Sequence, residues 1–317
     1  MKAVLPFCRN GAKRMDLQII SGFLGAGKTT FLNKYLPLLP GNTVVIENEF
    51  GQIGLDGQLI EDDIPVRELR AGCICCTLAL GFRNSIKELA EKYQPDHILI
   101  EPSGVAMLED VVAACQGARD EEGVQLDIGK RITIVDAASF DAFVDNFPFY
   151  LEQVENAGLI LLSHLNELPE GQSADDVAAL IRQHNADAVI YADDWRELDG
   201  DVLLSLVEAS PDRPAAETEH QEHADADEVF GHFSVLKPPP LQEETPERVL
   251  TQLKSGDYGK VLRAKGFLTG SGGQRYYVDL TMSGAEWRPT EDENSRGLVV
   301  IGCDLDKQAL KKLFTGR

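Results

Sequence analysis

Apolar positions in the first two-thirds of the chain fall into short runs with little polar alternation, which is typical of strands buried on both faces of a sheet. These runs predict strands over residues 16–21, 43–48, 97–102, 131–137, 158–163 and 188–193. Stretches with helical spacing lie between them and predict helices over residues 28–37, 83–93, 174–185 and 200–208. Alternation of this kind predicts an α/β fold with a mostly parallel sheet and flanking helices.

The pattern changes after residue 210. Residues 211–228, PDRPAAETEHQEHADADE, are acidic and poor in apolar side chains, which predicts a solvated linker. Adjacent short strands and two helical stretches follow, so residues 229–317 are expected to form a small C-terminal α+β domain. The first domain is then placed at residues 15–210, after a disordered lead-in over residues 1–14.

Composition narrows the classes of partner. The 317 residues carry a net charge of −22, which repels phosphate backbones and anionic lipid, so neither nucleic acid nor a membrane is expected as a partner. No apolar run approaches the length of about 18 residues that spans a bilayer. The apolar stretch near the N-terminus is too short for a signal peptide, and Met15 is an alternative start. We therefore expect a reducing cytoplasm, in which thiols stay free.

The sequence GFLGAGKT, residues 22–29, matches the phosphate-binding loop G-x-x-x-x-G-K-[ST] between a predicted strand and a predicted helix. Glycines allow backbone N–H groups to close around phosphates at the positive end of a helix. Lys28 is expected to reach the β- and γ-phosphates, and Thr29 to offer its hydroxyl to Mg²⁺. The candidate nucleotide contacts of this loop are Gly22, Gly25, Ala26, Gly27, Lys28, Thr29 and Thr30.

Two further segments are expected beside this loop. HILIEPSG ends a buried strand at Glu101, which can hold Mg²⁺ or its water, and Gly104 allows a backbone N–H to approach the γ-phosphate. The segment 46–57, IENEFGQIGLDG, has glycines that would let it move with nucleotide state. Glu49 of this segment joins Lys28 and Glu101 as a candidate catalytic residue.

Base recognition departs from the usual pattern. GTP-binding domains of this class carry Asn-Lys-x-Asp after a late strand, whereas Ser163, His164 and Asn166 stand at those positions here. An amide fits guanine less well than a carboxylate that accepts twice. Glu167 is an alternative acceptor one residue further on, so the preference for guanine is left open.

Three of the six cysteines, Cys73, Cys75 and Cys76, fall within four positions. Thiolates are soft ligands that suit Zn²⁺ or thiophilic cobalt chemistry, and an irregular loop could bring them to one ion. A closed structural zinc site normally has four ligands, and no second cysteine pair exists, so an exchangeable site is favoured. Glu47, Glu49, water or a client side chain could complete it. The alternatives are a redox pair of Cys73 with Cys76 and inert core thiols.

Five motifs together resemble the CobW family of P-loop GTPases: SGFLGAGKTT, IENEFGQIGLDG, GCICCTL, ILIEPSGVA and RAKGFL. The resemblance covers nearly the whole chain after Met15 and implies GTP-dependent delivery of zinc or cobalt to a client protein. Glu101 and Gly104 match the family's Walker B variant, and the three cysteines match its Cys-x-Cys-Cys motif. The family's histidine-rich stretch is reduced to His220, His223 and His232, which a solvated linker also explains.

The resemblance leads to a mechanism in which GTP and Mg²⁺ order segment 46–57 and tighten the cysteine site, and hydrolysis relaxes it. Turnover is expected to be slow without a partner or a homodimer mate, because no arginine finger or catalytic glutamine can be assigned. Two other functions are left open. One is a P-loop small-molecule kinase, and the other is a nucleotide-gated interaction protein that assists a metalloenzyme or corrinoid protein without carrying metal.

Overall fold

The computed structural model of the protein describes residues 14–49, 66–70, 76–144, 147–213, 231–235, 238–241, 245–282, 284–291 and 297–315. Within these ranges the chain forms two sheets, one parallel and one antiparallel. The lead-in and most of the acidic linker fall outside these ranges, so those two predictions are not addressed by the structure.

The parallel sheet has seven strands in the order β3-β2-β4-β1-β5-β6-β7. All of its strand pairs are parallel, as expected for a chain in which helices connect successive strands. The strands are β1 Met15–Gly22, β2 Thr43–Glu49, β3 Val66–Arg70, β4 His97–Glu101, β5 Leu126–Asp136, β6 Leu159–Ser163 and β7 Val189–Tyr191.

Helices lie between successive strands of the parallel sheet, except between β2 and β3, whose connection falls outside the described residues. The strand nearest the middle of the sheet, β1, leads directly into the first helix through a tight glycine-rich loop. The helices are α1 Lys28–Tyr35, α2 Cys76–Tyr93, α3 Leu108–Asp120, α4 Phe140–Val144, α5 Pro148–Glu155, α6 Ala174–His184 and α7 Gly200–Ala209.

Successive residues of the central strands enter different cores, because side chains of a strand point alternately to its two faces. Ile19 packs with α2 and α3, whereas the next residue, Ile20, packs with α1 and α7. The same alternation separates Ile98 from Leu99 in β4. Helices therefore cover both faces of the parallel sheet, which confirms the predicted fold class.

The C-terminal part of the chain forms a five-stranded antiparallel sheet in the order β11-β10-β9-β12-β8. Two short helices pack on it and close a separate core. The elements are β8 Gly231–Val235, α8 Pro246–Leu253, β9 Lys260–Thr269, β10 Arg275–Leu280, β11 Ala285–Pro289, β12 Leu298–Cys303 and α9 Lys307–Thr315.

The other face of the antiparallel sheet packs against the first part of the chain in a second, shared hydrophobic core. Leu262, Val299 and Ile301 of the antiparallel sheet are buried in the same cluster as Phe23 and Val105 of the first part of the chain. Burial of such side chains is worth about 1.5–3 kcal/mol each, so the antiparallel sheet is held firmly at this position. Phe23 lies in the glycine-rich loop, so this contact reaches the candidate nucleotide site.

Several elements differ from their predicted bounds. Helix α2 begins at Cys76, seven residues before the predicted start at position 83, and β5 extends the predicted strand backwards to Leu126. Strand β3, helix α3 and the exposed edge strand β11 had not been predicted. His232 lies in β8, opposite Ile301, rather than in a linker. No helix in the described ranges is long and apolar enough to cross a membrane.

Candidate nucleotide and metal site

The glycine-rich loop between β1 and α1 depends on backbone angles that favour glycine. Gly22, Gly25 and Gly27 have φ values of 142°, 84° and 108°. A Cβ atom on Gly22 would lie 2.4 Å from the carbonyl oxygen of Ile134 in the neighbouring strand. The loop therefore needs glycine both for its curvature and for its close packing, and it leads into the N-terminus of α1, where unpaired N–H groups favour an anion.

Lys28 is the first residue of α1, and its side chain is 6% exposed. Its ammonium group donates hydrogen bonds to the carbonyl oxygens of Gly22, at 3.0 Å, and Phe23, at 3.2 Å. The lysine thus lies along the inside of the loop, where its charge faces the space that the loop encloses. This position is the one expected for a cation that neutralises phosphate groups.

Glu101 ends β4 beside α1. The Thr29 hydroxyl donates to the Oε1 atom of Glu101 at 3.3 Å, and Glu101 is 7% exposed. Burial raises the pKa of the Glu101 carboxyl, and the nearby charges of Lys28 and Arg263, with the bond from Thr29, oppose that rise. The sequence analysis expected Glu101 beside the glycine-rich loop and assigned both Thr29 and Glu101 to Mg²⁺, and the contact between the two side chains is an additional finding.

The second oxygen of Glu101, Oε2, is buried and has no hydrogen-bond partner in the described part of the chain. Glu47, which is 2% exposed, occupies the paired position on β2 and so faces the same side of the sheet, towards α1. Carboxylate and hydroxyl oxygens at one strand end are the ligands that Mg²⁺ prefers. Glu101 with Thr29 therefore fits Mg²⁺, and Glu47 adds negative charge beside it.

Gly104 lies in the loop that follows Glu101, in direct contact with the glycine-rich loop. A Cβ atom at this position would lie 2.6 Å from the backbone nitrogen of Leu24. The predicted reason for glycine here was approach to a phosphate, and the structure adds a steric one. Only a residue without a side chain allows the two loops to pack this closely.

Sequence reasoning missed the residues that hold this second loop in place. The Gln153 amide on α5 donates to the carbonyl oxygens of Ala106, at 2.8 Å, and Gly104, at 3.4 Å. Gln153 is fully buried. A buried glutamine in a helix carries no distinctive sequence signal, because its partners lie 47 and 49 residues away.

Glu152, the residue before Gln153 on α5, caps the N-terminus of helix α3. Its two carboxylate oxygens accept hydrogen bonds from the backbone N–H groups of Leu108, at 2.7 Å, and Glu109, at 2.9 Å, at the start of α3. Burial raises the pKa of Glu152 to about 7, although these two hydrogen bonds oppose the rise. Helix α5 thus fixes both the loop after Glu101 and the helix that the loop enters.

His164 lies on the glycine-rich loop. Its backbone is left-handed, with φ of 54°, and its Nε2 atom donates to the carbonyl oxygen of Gly25 at 3.1 Å. Its Nδ1 atom lies 3.0 Å from Oε1 of Glu167. Because both partners accept, the doubly protonated ring satisfies both contacts. Burial alone would lower the pKa of His164, but the bond to Glu167 and the charge of Asp136 outweigh it and raise the pKa.

The other two residues predicted to contact the base, Ser163 and Asn166, lie in different surroundings. The Ser163 hydroxyl donates to the carbonyl oxygen of Val135 in the adjacent strand at 3.2 Å. Asn166 is exposed in the short 3₁₀ turn Leu165–Glu167. His164 is therefore the member of this trio that reaches the glycine-rich loop, while recognition of a base by Ser163 or Asn166 stays a prediction.

The antiparallel sheet contributes to the site in a way that the sequence did not indicate. Arg263 of β9 is close enough to Glu101 to lower the pKa of that carboxyl. Thr281, just after β10, packs against the glycine-rich loop, since a Cβ atom on Gly25 would lie 2.4 Å from its methyl group. Both contacts result from the packing of the antiparallel sheet against the nucleotide site, so no local sequence pattern shows them.

The predicted cysteine site lies mostly outside the described residues. Cys73 and Cys75 fall in the gap at residues 71–75, and Cys76 is the first residue of α2. Glu49 is the last residue of β2, and its side chain is not described. Among the residues that are described, no group of three or more histidine, cysteine or acidic side chains could hold a metal ion. The cysteine site therefore stays a prediction.

Comparison with known protein families gives two matches. Residues 16–192 match the CobW/HypB/UreG nucleotide-binding domain, and residues 230–316 match the cobalamin synthesis protein cobW C-terminal domain. The first match covers more than half of the chain and includes all of the nucleotide-site residues described above, apart from Arg263 and Thr281.

Similar proteins include two that are named zinc chaperones. CobW of Sinorhizobium sp is 37% identical over 55% of this chain and 52% of its own length, so the chain spans about half of that relative. YjiA of Escherichia coli is 29% identical over 94% of this chain and 97% of its own length. The structure of the Zn(II)-bound YjiA GTPase aligns over 96% of this chain and 99% of its own, with 25% identity and a TM-score of 0.46.

Proposed function

Because this chain belongs to the CobW/HypB/UreG family through its nucleotide-binding domain, we propose that it is a GTP-hydrolysing metallochaperone that delivers zinc to a client protein. The observation that carries the proposal is the contact between Thr29 and Glu101 beside the buried Lys28. These residues supply the hydroxyl, the carboxylate and the ammonium group that a Mg²⁺-nucleotide site requires.

Each residue has a separate task in this proposal. Lys28 neutralises charge on the β- and γ-phosphates, and the N–H groups at the start of α1 bind their oxygens. Thr29 and Glu101 hold Mg²⁺, which supplies charge neutralisation during hydrolysis. His164 keeps the carbonyl of Gly25 oriented, so that the loop keeps the shape that fits phosphates.

Zinc is the proposed cargo, with cobalt as the alternative that the family resemblance leaves open. Two relatives are named zinc chaperones, and the thiolates of Cys73, Cys75 and Cys76 suit a soft or borderline cation. Glu47 supports the same idea, because it lies in β2 two residues before the strand ends at Glu49, within the segment of residues 46–57. That segment would couple nucleotide state to the affinity for the metal, and the coupling must be reciprocal.

The test is a zinc titration, with a competing chelator, of the full chain with GTP, with GDP and without nucleotide. We expect zinc affinity to differ between the GTP and GDP states and to fall when Cys75 and Cys76 are replaced by serine. Cys115→Ser is the matched control, because Cys115 is buried and burial raises the pKa of its thiol. Repeating the titration with ATP and XTP tests the choice of base, since Asn166 stands in place of the usual aspartate.

Three outcomes would contradict the proposal. Equal GTP affinity with and without saturating zinc or cobalt would remove the coupling. Client activation that survives the double serine variant would support an interaction protein that carries no metal, and an acceptor-dependent phosphorylated product would support a small-molecule kinase.

The remaining parts of the proposal rest on the sequence. We place the protein in the cytoplasm and expect a metal-requiring client and no nucleic-acid partner. A homodimer mate is the alternative stimulator of turnover. The division into domains at residues 15–210 and 229–317, with a linker between them that carries His220 and His223, belongs to the same proposal.

A further inference from the structure

Strand β11, Ala285–Pro289, is an exposed edge of the antiparallel sheet. It stands at one end of the strand order, with β10 on one side and no strand from the described ranges on the other. All five of its residues are exposed. Such an edge offers backbone N–H and C=O groups that can pair with a strand of another chain.

The hydrogen bonds between β10 and β11 show which backbone groups of β11 face outwards. The N–H of Thr290 donates to the carbonyl oxygen of Arg275 at 3.0 Å, and the N–H of Thr281 donates to the carbonyl oxygen of Gly284 at 2.8 Å. Because backbone groups alternate between the two sides of an antiparallel strand, the even-numbered residues of β11 bond to β10 and the odd-numbered residues point away. Pro289, which has no N–H, stands at an outward position, where the sheet does not need that donor.

The charged side chains of β11 alternate in sign on one face of the sheet. Glu286 and Arg288 share the face of their paired residues on β10, which are Asp279 and Tyr277. Arg288 lies over the ring of Tyr277, 5.2 Å from its centroid. Glu286 lies opposite a second carboxylate, that of Asp279, and like charges in this position repel each other. A cation from outside the sheet would therefore be favourable beside Glu286.

Trp287 points to the other face. Its ring meets the ring of Tyr276 edge-on, with centroids 5.6 Å apart, and the residue is still 43% exposed. A large aromatic side chain at an open edge is stabilised when another aromatic side chain packs beside it.

We propose that β11 pairs with β11 of a second copy of this chain, in an antiparallel arrangement centred on Trp287. In this register each Glu286 lies opposite Arg288 of the other copy, and each Ala285 lies opposite Pro289. The two Trp287 residues exchange N–H···O=C bonds, and each Ala285 N–H donates to the carbonyl oxygen of Pro289 in the other copy. The two antiparallel sheets then form one continuous sheet.

Charge selects this register over its neighbours. Outward-facing residues must meet outward-facing residues, so the next possible registers are centred on Glu286 and on Arg288. The first places two glutamates opposite each other and the second places two arginines opposite each other, and both arrangements are unfavourable. Charged side chains commonly protect an edge from pairing, but the alternation of sign on β11 makes this edge complementary to itself.

The contact is small, so we expect weak association. Five residues from each copy take part, against about 20–30 on each side of a standard interface, which suggests a dissociation constant on the order of 10–100 µM. The net charge of −22 makes two copies repel each other at long range. At about 0.15 M salt this repulsion is screened beyond about 8 Å, whereas adjacent Glu–Arg pairs are retained. The contact goes beyond the proposed function, since it requires neither nucleotide nor metal.

The experiment is sedimentation equilibrium of the full chain from about 1 to about 300 µM at physiological salt, with a zinc chelator and with or without GDP. We expect Glu286→Arg alone and Arg288→Glu alone to weaken association at least about tenfold, because each places like charges opposite each other twice. The variant with both substitutions restores opposite charges and should associate within about threefold of the wild type. Damage to the fold would not be repaired by adding a second substitution.

Matched controls lie away from β11. Glu170→Arg, in a turn of the nucleotide-binding domain, and Lys307→Glu, at the start of α9, make the same changes of charge at exposed positions and should associate as the wild type does. Ala285→Pro removes an outward N–H and no bond to β10, so it should also weaken association. This variant decides the matter if a charge variant fails to fold.

A wild-type chain that stays monomeric over the whole concentration range would overturn the inference. Single charge variants that associate as tightly as the wild type would also overturn it, as would a double variant that associates as weakly as the single ones. Association that is lost in both single variants and restored in the double variant would establish the β11 contact.

Discussion

The side-chain amide of Gln153 donates a hydrogen bond to the carbonyl oxygen of Ala106 at 2.8 Å, in the loop that carries Gly104 from Glu101 to α3. The amide also reaches the carbonyl of Gly104, so one buried residue of α5 restrains two peptide groups of the loop. A γ-phosphate contact from Gly104 requires such restraint, because a loop that moves freely loses precision at the phosphate.

Replacing Gln153 with leucine should therefore reduce stability by about 1–3 kcal/mol, since it leaves buried carbonyl oxygens without their donor. Urea unfolding measures this change, and hydrogen exchange at Ala106 should rise with it. Gln172→Leu is the control, because the amide of Gln172 bonds to Asp141 only weakly, at 3.4 Å in an exposed position. Equal losses in both variants would show that the loop does not depend on Gln153.

Glycine-to-alanine substitutions at positions 104 and 81 should have opposite effects. A methyl group at position 104 would lie 2.6 Å from the backbone nitrogen of Leu24 and push the glycine-rich loop away, so GDP affinity should fall at least tenfold. Gly81 lies within α2, and a methyl group there meets nothing within 4 Å. Gly81→Ala should therefore stabilise the protein by about 0.5–1 kcal/mol through helix propensity and leave GDP affinity unchanged.

Calorimetry measures both effects, as GDP affinity by titration and as melting temperature by scanning. A Gly104→Ala variant that binds GDP as tightly as Gly81→Ala does would contradict the close packing of the two loops.

Much of the nucleotide site was predictable because its parts are local in sequence. Lys28 and Thr29 follow a strand and a glycine-rich loop within eight residues, and Glu101 ends a strand whose carboxyl end must lie at the same edge of the parallel sheet. The family resemblance that these motifs suggested is confirmed by the matches over residues 16–192 and 230–316.

The rest depends on tertiary contacts that leave no local signal. Gln153 and Arg263 meet their partners across sequence separations that no periodicity reveals. Strand β11 has no buried residue, so it lacks the apolar alternation by which a strand is recognised. Strand β3 is an edge strand whose sequence, VRELR, is mostly charged, so it also lacks the apolar run by which a buried strand is recognised.

Replacing Glu101 with glutamine should increase stability and strongly reduce metal-dependent turnover. Burial raises the pKa of this carboxyl, so the folded protein disfavours the charged form at pH 8, and a neutral amide relieves a cost on the order of 1 kcal/mol. The same change removes the proposed Mg²⁺ ligand, so GTP hydrolysis should fall by roughly a hundredfold or more. Urea unfolding at pH 8 and a phosphate-release assay check the two effects. A variant that is both less stable and fully active would contradict this account of Glu101.

The contact of His164 with Gly25 and Glu167 should make stability depend on pH. The pKa of His164 is raised from its ordinary value of 6.5, so the folded protein holds a proton that the unfolded chain releases more readily. Its contribution to stability is fully present below pH 6.5 and is lost as pH rises through the raised value. Because the side chain is 25% exposed, we expect a loss of about 0.5–1 kcal/mol.

Urea unfolding from pH 6 to pH 9 measures this loss, and GDP affinity over the same range should fall with it, because a neutral ring can no longer donate to both Gly25 and Glu167. His164→Gln should remove this part of the pH dependence. His184→Gln is the matched control, since His184 is the exposed last residue of α6 and lies outside the nucleotide site. A pH profile that is the same in the wild type and in His164→Gln would show that the charged histidine does not hold the loop.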